Sequence, residues 1–171
     1  MKYGVVIFPS KKLQDIANSY RKRYDTKYSF IPPHITIKSS FEATEEELTT
    51  IVGRVRQAAS NVQPFLINVT KAKSFQPANN TIYLKVEAAP ELDMLYQALH
   101  GEGTHKTDVE YAFSPHITIA QELSNDEHLD VMGQLTNLNV DHQEKVDRIH
   151  LLYQLEDGVW TVYETFRLGA E

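Results

Sequence analysis

The chain has 171 residues, 42% of them apolar and 23% charged, with no cysteine and a formal net charge of −6. This composition belongs to a folded protein and excludes a disordered chain, a disulfide scaffold, a thiolate metal site and a cysteine nucleophile. The negative charge is unsuited to a broad electrostatic grip on long duplex nucleic acid, which leaves small or terminal phosphates as partners of that kind.

Residues 2–8 carry Val5, Val6, Ile7 and Phe8 and close on Pro9, the signature of a strand. They lack the charged leader and cleavage site of a secretory signal, and no apolar run approaches the roughly 18 residues that cross a bilayer, so a soluble, cytoplasmic protein is expected. Leu13, Ile16, Ala17 and Tyr20 then recur at helical steps. Lys11, Lys12, Arg21, Lys22, Arg23 and Lys27 crowd this region, and Glu42, Glu45, Glu46 and Glu47 a later one; both are read as solvated helix faces.

After Pro32 and Pro33, residues 34–39 alternate as a strand, with Ile35 and Ile37 on one face and His34, Thr36 and Lys38 on the other. Thr44 and Glu47 form a capping-box pattern before a helix with Leu48, Ile51, Val52 and Val55. Strands are predicted over 65–75 and 81–88, joined through Gln76 to Asn80, and Pro90 opens a helix through Leu92, Leu95, Tyr96 and Leu99. Phe113, Ser114 and Pro115 lead into a strand over 116–120, and Ser124 is placed to cap a helix with Leu129, Met132 and Leu135. The tail predicts strands over 146–155 and 159–168, joined at Glu156, Asp157 and Gly158.

An internal repeat organises these elements. Phe30, Pro33, His34, Ile35, Thr36 and Ile37 recur as Phe113, Pro115, His116, Ile117, Thr118 and Ile119, and the run from Tyr3 to Pro9 parallels that from Tyr83 to Pro90. The repeats cover approximately 1–62 and 81–137, and no linker rich in glycine, serine or proline divides them. Residues 1–171 are therefore expected to form a single bilobal domain, with equivalent strands facing each other across a cleft.

On a strand, residues two apart share a face, so His34 with Thr36 and His116 with Thr118 each project an imidazole and a hydroxyl together. Imidazole titrates near neutrality, with a reference pKa of about 6.5. One ring can thus take a proton while the other gives one, as phosphodiester hydrolysis requires. The hydroxyls suit the non-bridging phosphate oxygens, and neither metal nor cofactor is called for.

His34-Ile35-Thr36-Ile37 and His116-Ile117-Thr118-Ile119 resemble the two His-x-Thr-x signatures of the two-histidine phosphoesterase superfamily, which includes RNA 2′,3′-cyclic phosphodiesterases and the so-called 2′-5′ RNA ligases. In detail the chain looks closest to the bacterial YjcG-like branch. The resemblance implies an α+β fold, bilobal and internally duplicated, with two antiparallel sheets around a central cleft and helices outside. It also implies His34 as proton donor, His116 as proton acceptor, and Thr36 and Thr118 as substrate-binding residues. The expected partner is a small phosphodiester or an RNA end. A module that binds such a ligand without turnover, or a regulatory protein with a vestigial cleft, is the alternative.

Other candidates carry less. His100, His105, His128, His142 and His150 lack a partner motif and are expected at structural or surface positions, and none forms a His-Glu-x-x-His zinc pattern. Lys38 is placed either beside the phosphate or at a strand end in solvent. Phe41, Phe75, Tyr111 and Trp160 are candidates to stack a base, with the core as their commoner destination. Gly101 and Gly103 do not make a phosphate loop, because no strand precedes them. Oligomeric state is not fixed by these features.

Overall fold

Where β-branched and aromatic residues run together the chain extends, and where apolar residues recur every three or four it coils, giving eight strands and four helices in a computed structural model that describes residues 1–107 and 113–169. The order is β1 (Lys2–Ile7), α1 (Lys11–Tyr24), β2 (Ile35–Glu42), α2 (Leu48–Ser60), β3 (Phe65–Ser74), β4 (Ile82–Val86), α3 (Pro90–His100), β5 (His116–Ala120), α4 (Asn125–Leu135), β6 (Asn139–Val146), β7 (Arg148–Gln154) and β8 (Trp160–Arg167). Tyr111, one of the base-stacking candidates, lies outside the described residues.

The strands form two four-stranded antiparallel sheets, β2-β1-β7-β8 and β5-β4-β3-β6. Each motif strand is thus an edge, paired on one side only, and β2 and β5 lie near each other. This is the expected α+β architecture of two antiparallel sheets. The strand pairing corrects one detail of the repeat. Thr36 pairs with Val6 and Thr118 with Tyr83, so Val6, and not Tyr3, is the counterpart of Tyr83.

The helices cross between the sheets. Helix α1 follows a strand of the first sheet and packs on β5 of the second, burying Leu13 and Ala17 completely. Helix α3 follows a strand of the second sheet and packs on β2 and α2 beside the first, burying Leu92 and Leu95. Helix α2 covers β7 and β8, and α4 is tied to β3 where His128 meets Ser74 Oγ at 2.7 Å.

Two local expectations shift. Thr44 and Glu47 do make their reciprocal bonds, with Thr44 N donating to Glu47 Oε1 at 3.0 Å and Glu47 N to Thr44 Oγ1 at 3.3 Å. They close a turn ahead of α2, which begins only at Leu48. Ser124 caps α4 with the full reciprocal box to Glu127. The strand predicted over 146–155 is β7, which begins at Arg148; Val146 instead ends β6, a strand that is not predicted. Its alternating face is mostly polar, Asn139, Asp141, Gln143 and Lys145 being exposed, so hydropathy gives no cue.

Because each sheet is covered by a helix that enters from the other, unfolding in urea should be one transition seen identically by tryptophan fluorescence and circular dichroism. Leu13→Ala should cost about 2–5 kcal/mol of that transition. Two separate transitions would contradict the crossing as the source of cooperativity.

Candidate active site

A straight strand cannot carry Thr36 on the cleft and keep both Ile37 and Lys38 in the core, because its side chains alternate. In β2 the pairing slips by one: Thr36 faces Val6, but Lys38 faces Val5. Adjacent residues of β1 point to opposite faces, so this one-residue bulge turns Lys38 away from the cleft. The second motif repeats the device, with Thr118 opposite Tyr83 and Ala120 opposite Ile82. The expectation that Lys38 shares the face of His34 and Thr36 is therefore corrected, as is its alternative in solvent. Its ammonium is buried, donates to the Leu99 carbonyl at 2.7 Å and lies 4.8 Å over the Phe41 ring. Loss of hydration, with the Arg54 charge adding to it, lowers the Lys38 pKa to about 8.

His34 stands one residue before β2, and His116 is the first residue of β5. Both rings are fixed alike. His34 Nδ1 lies 2.8 Å from the Pro32 carbonyl and His116 Nδ1 2.7 Å from the Ser114 carbonyl. A carbonyl only accepts, so each Nδ1 carries the proton, and Nε2 is left in each ring to take or give one. His34, Thr36 and Thr118 line one cavity of about 520 Å³. His116 is not in its wall, yet it lies close enough to His34 for the two charges to repel.

Both rings resist protonation. The His34 pKa falls to about 4, chiefly through loss of hydration; the Arg21 and His116 charges lower it further, while the Pro32 carbonyl and Asp25 oppose. The His116 pKa is also lowered by loss of hydration, against the Ser114 carbonyl. Their surroundings differ. His116 meets the edges of Phe75 and Tyr83, with centroids at 4.9 Å and 5.3 Å, and these two rings stack on each other at 4.2 Å. His34 instead lies near a buried ion pair, Arg21 with Asp25.

Of the aromatic candidates, Trp160 lines the cavity, Phe75 braces His116, and Phe41 is in the core. The remaining histidines serve packing and local bonds. His128 is buried against Ser74, His105 bonds Glu47, His142 bonds Glu144, His100 stacks on Tyr96, and His150 contacts Phe8 and Thr165. Among the described residues, no three His, Cys, Asp or Glu side chains gather as a metal site, and no helix is long and apolar enough to cross a membrane.

Arg21, Asp25 and Gln121 also line the cavity and were not among the sequence candidates. A signal existed for the pair. Leu13, Ala17, Arg21 and Asp25 follow one another at four-residue steps, so the buried stripe of α1 runs directly onto them.

Residues 8–158 match the model of the 2'-5' RNA ligase superfamily. A Bacillus pumilus protein bearing a provisional phosphoesterase name is 56% identical over 171 residues, covering 100% of this chain and 99% of that relative. A Bacillus cereus protein of the same kind is 53% identical over 169 residues, covering 99% and 98%. Among solved structures, TT0787 of Thermus thermophilus is similar with a TM-score of 0.73 at 19% identity, each chain covered in full. E. coli LigT complexed with 3'-AMP gives 0.70 at 14% identity over 98% of this chain and 97% of that one. At these identities the structural likeness speaks for the fold alone.

Nitrogen-15 spectra of the free protein at neutral pH should show Nδ1–H and a bare Nε2 in both rings, with His34 gaining its second proton only near pH 4. An Nε2–H tautomer in either ring, or a His34 midpoint above the ordinary imidazole value of about 6.5, would contradict this geometry.

Proposed function

The chain belongs to the 2'-5' RNA ligase superfamily, and from that premise we propose that it is a phosphoesterase hydrolysing a cyclic or 2′-5′ phosphodiester of a nucleotide, small metabolite or RNA end. The supporting observation is the matched pair of Nδ1–carbonyl bonds, which leaves one exchangeable nitrogen in each ring.

His116 is the proton acceptor and His34 the proton donor in this reading. Nε2 of His116 takes a proton from water, and the water oxygen bonds to phosphorus. The bond from phosphorus to the leaving oxygen breaks, and Nε2–H of His34 protonates that oxygen. A 2′-5′ linkage gives a phosphomonoester and an alcohol, a cyclic ester gives one molecule that carries both groups, and solvent returns the rings to their starting state. Thr36 and Thr118 donate their hydroxyl protons to the non-bridging oxygens, where negative charge gathers. The lowered pKa of His34 fits a donor that charges only when an anion arrives: a bound phosphate raises it, so that the ring holds the proton that the leaving oxygen takes.

The cavity extends from the threonines along Gly4, Leu152 and Gln154 to Trp160, which supports a substrate larger than phosphate. E. coli LigT has been crystallised with 3'-AMP, NADP+, ATP and phosphate. That precedent in the fold favours a nucleotide here, with Trp160 beside the base. The charge of −6 favours a short ligand over a long duplex.

Incubation with nucleoside 2′,3′-cyclic monophosphates and 2′-5′ dinucleotides in EDTA should yield monoester, and His34→Ala or His116→Ala should lower kcat about 10²–10⁴-fold with the fold intact. Unchanged turnover in either variant rejects the assignment; tight binding with no product would favour a binding module. Trp160→Ala should weaken kcat/KM for nucleoside substrates about 5- to 100-fold, the worth of one stacked base, and spare the base-free glycerol 1,2-cyclic phosphate. Equal losses on both would remove the base from beside Trp160.

A further inference from the structure

The ion pair beside His34 belongs to neither motif, yet its bonds reach residues that flank both. Arg21, on the last turn of α1, is 2% exposed. Its Nε donates to Asp25 Oδ2 at 3.0 Å, Nη1 to Asn18 Oδ1 at 2.7 Å and Nη2 to the Ile31 carbonyl at 2.6 Å. Ile31 lies three residues before His34. Asp25 Oδ1 accepts from Lys27 N at 2.8 Å and from Gln121 Nε2 at 2.7 Å. Gln121 lies three residues beyond Thr118, and its N–H also donates to the Tyr24 carbonyl at 3.1 Å.

We propose that Arg21 and Asp25 are positioning residues that set the distance between the two histidine motifs, the guanidinium holding the backbone ahead of His34 while the carboxylate holds the side chain beyond Thr118. This rests on the two-histidine reading of the site. A planar fork with donors in fixed directions suits that task, because three acceptors on different segments constrain one another through it. Replacing such a pair by apolar groups is often no worse for stability, so burial of charge here is better explained by geometry than by folding.

Among the described residues, the matching place in the second half is held by stacked rings. There Phe113, ahead of His116, stacks on Tyr96 of α3 with centroids at 4.5 Å, and Tyr96 stacks on His100 at 3.9 Å. The ion pair of the first half has a further effect, since Arg21 disfavours and Asp25 favours the protonated form of His34. The other titratable or charged groups around this space are His116 on β5 and, in the cavity wall, Lys27, Glu156 and Asp157; Lys38 also borders the cavity, but its ammonium is held by the Leu99 carbonyl.

Three variants test the proposal through the His34 ring titration, which needs no turnover and so stands even if the hydrolase reading fails. Arg21→Met should raise the His34 midpoint and Asp25→Asn should lower it, the guanidinium being left uncompensated. Arg21→Lys keeps the charge but cannot span Asp25 and the Ile31 carbonyl together, so the midpoint should stay near wild type. With a cyclic nucleotide, that variant should lose about tenfold or more in kcat, with KM changed less than about threefold. If Arg21→Met does not fold, the other two carry the test. A pair that only fills space would, once disrupted, let water in and raise the midpoint in all three variants. That pattern, or full kcat in Arg21→Lys, overturns the proposal.

Discussion

The edge strands that bear the motifs must satisfy two demands at once: an apolar face for the core and a polar face for the cleft. Strict alternation meets both only while the strand stays regular, and past the threonine it does not. In β2 and in β5 one extra residue enters there, and the strand turns. Without the bulge Lys38 would stand beside Thr36 and add a strongly hydrated cation to the cleft face. With it, that ammonium is occupied by the Leu99 carbonyl, and the cleft face is left to an imidazole and a hydroxyl. The same slip in both halves keeps the two faces alike although only one strand has a lysine to dispose of.

Equivalence ends a few ångströms behind the rings. One histidine rests among aromatic edges and the other beside a guanidinium and carboxylate held out of water. Identical groups in unlike surroundings titrate differently, and two carriers of one proton each need that difference. The fold supplies the symmetry that brings the rings together, and the supporting residues give each ring surroundings of its own.

Much of this was readable from residue order. The repeated His-x-Thr pairs, the alternation of strands and helices and the absence of a linker point to two packed lobes. Among the described residues, period alone marks seven of the eight strands and all four helices. Strand β6 escapes because its alternation carries almost no apolar signal; it is held by β3 and by its place in the sheet. The role of Lys38 escapes because a bulge shifts phase without changing composition. Arg21 and Asp25 escape for a different reason: basic residues cluster on α1, and the one turned inward looks like its neighbours until its four-residue spacing from Ala17 is followed.

The exchange of helices has a consequence for how such a molecule can be built. Each sheet is covered by a helix whose preceding strand belongs to the other sheet, so a chain holding only one repeat would leave an apolar sheet face bare and an apolar helix without a seat. The cover of each sheet and the wall of the cleft therefore both draw on the two halves at once, and neither half can be removed without uncovering the other.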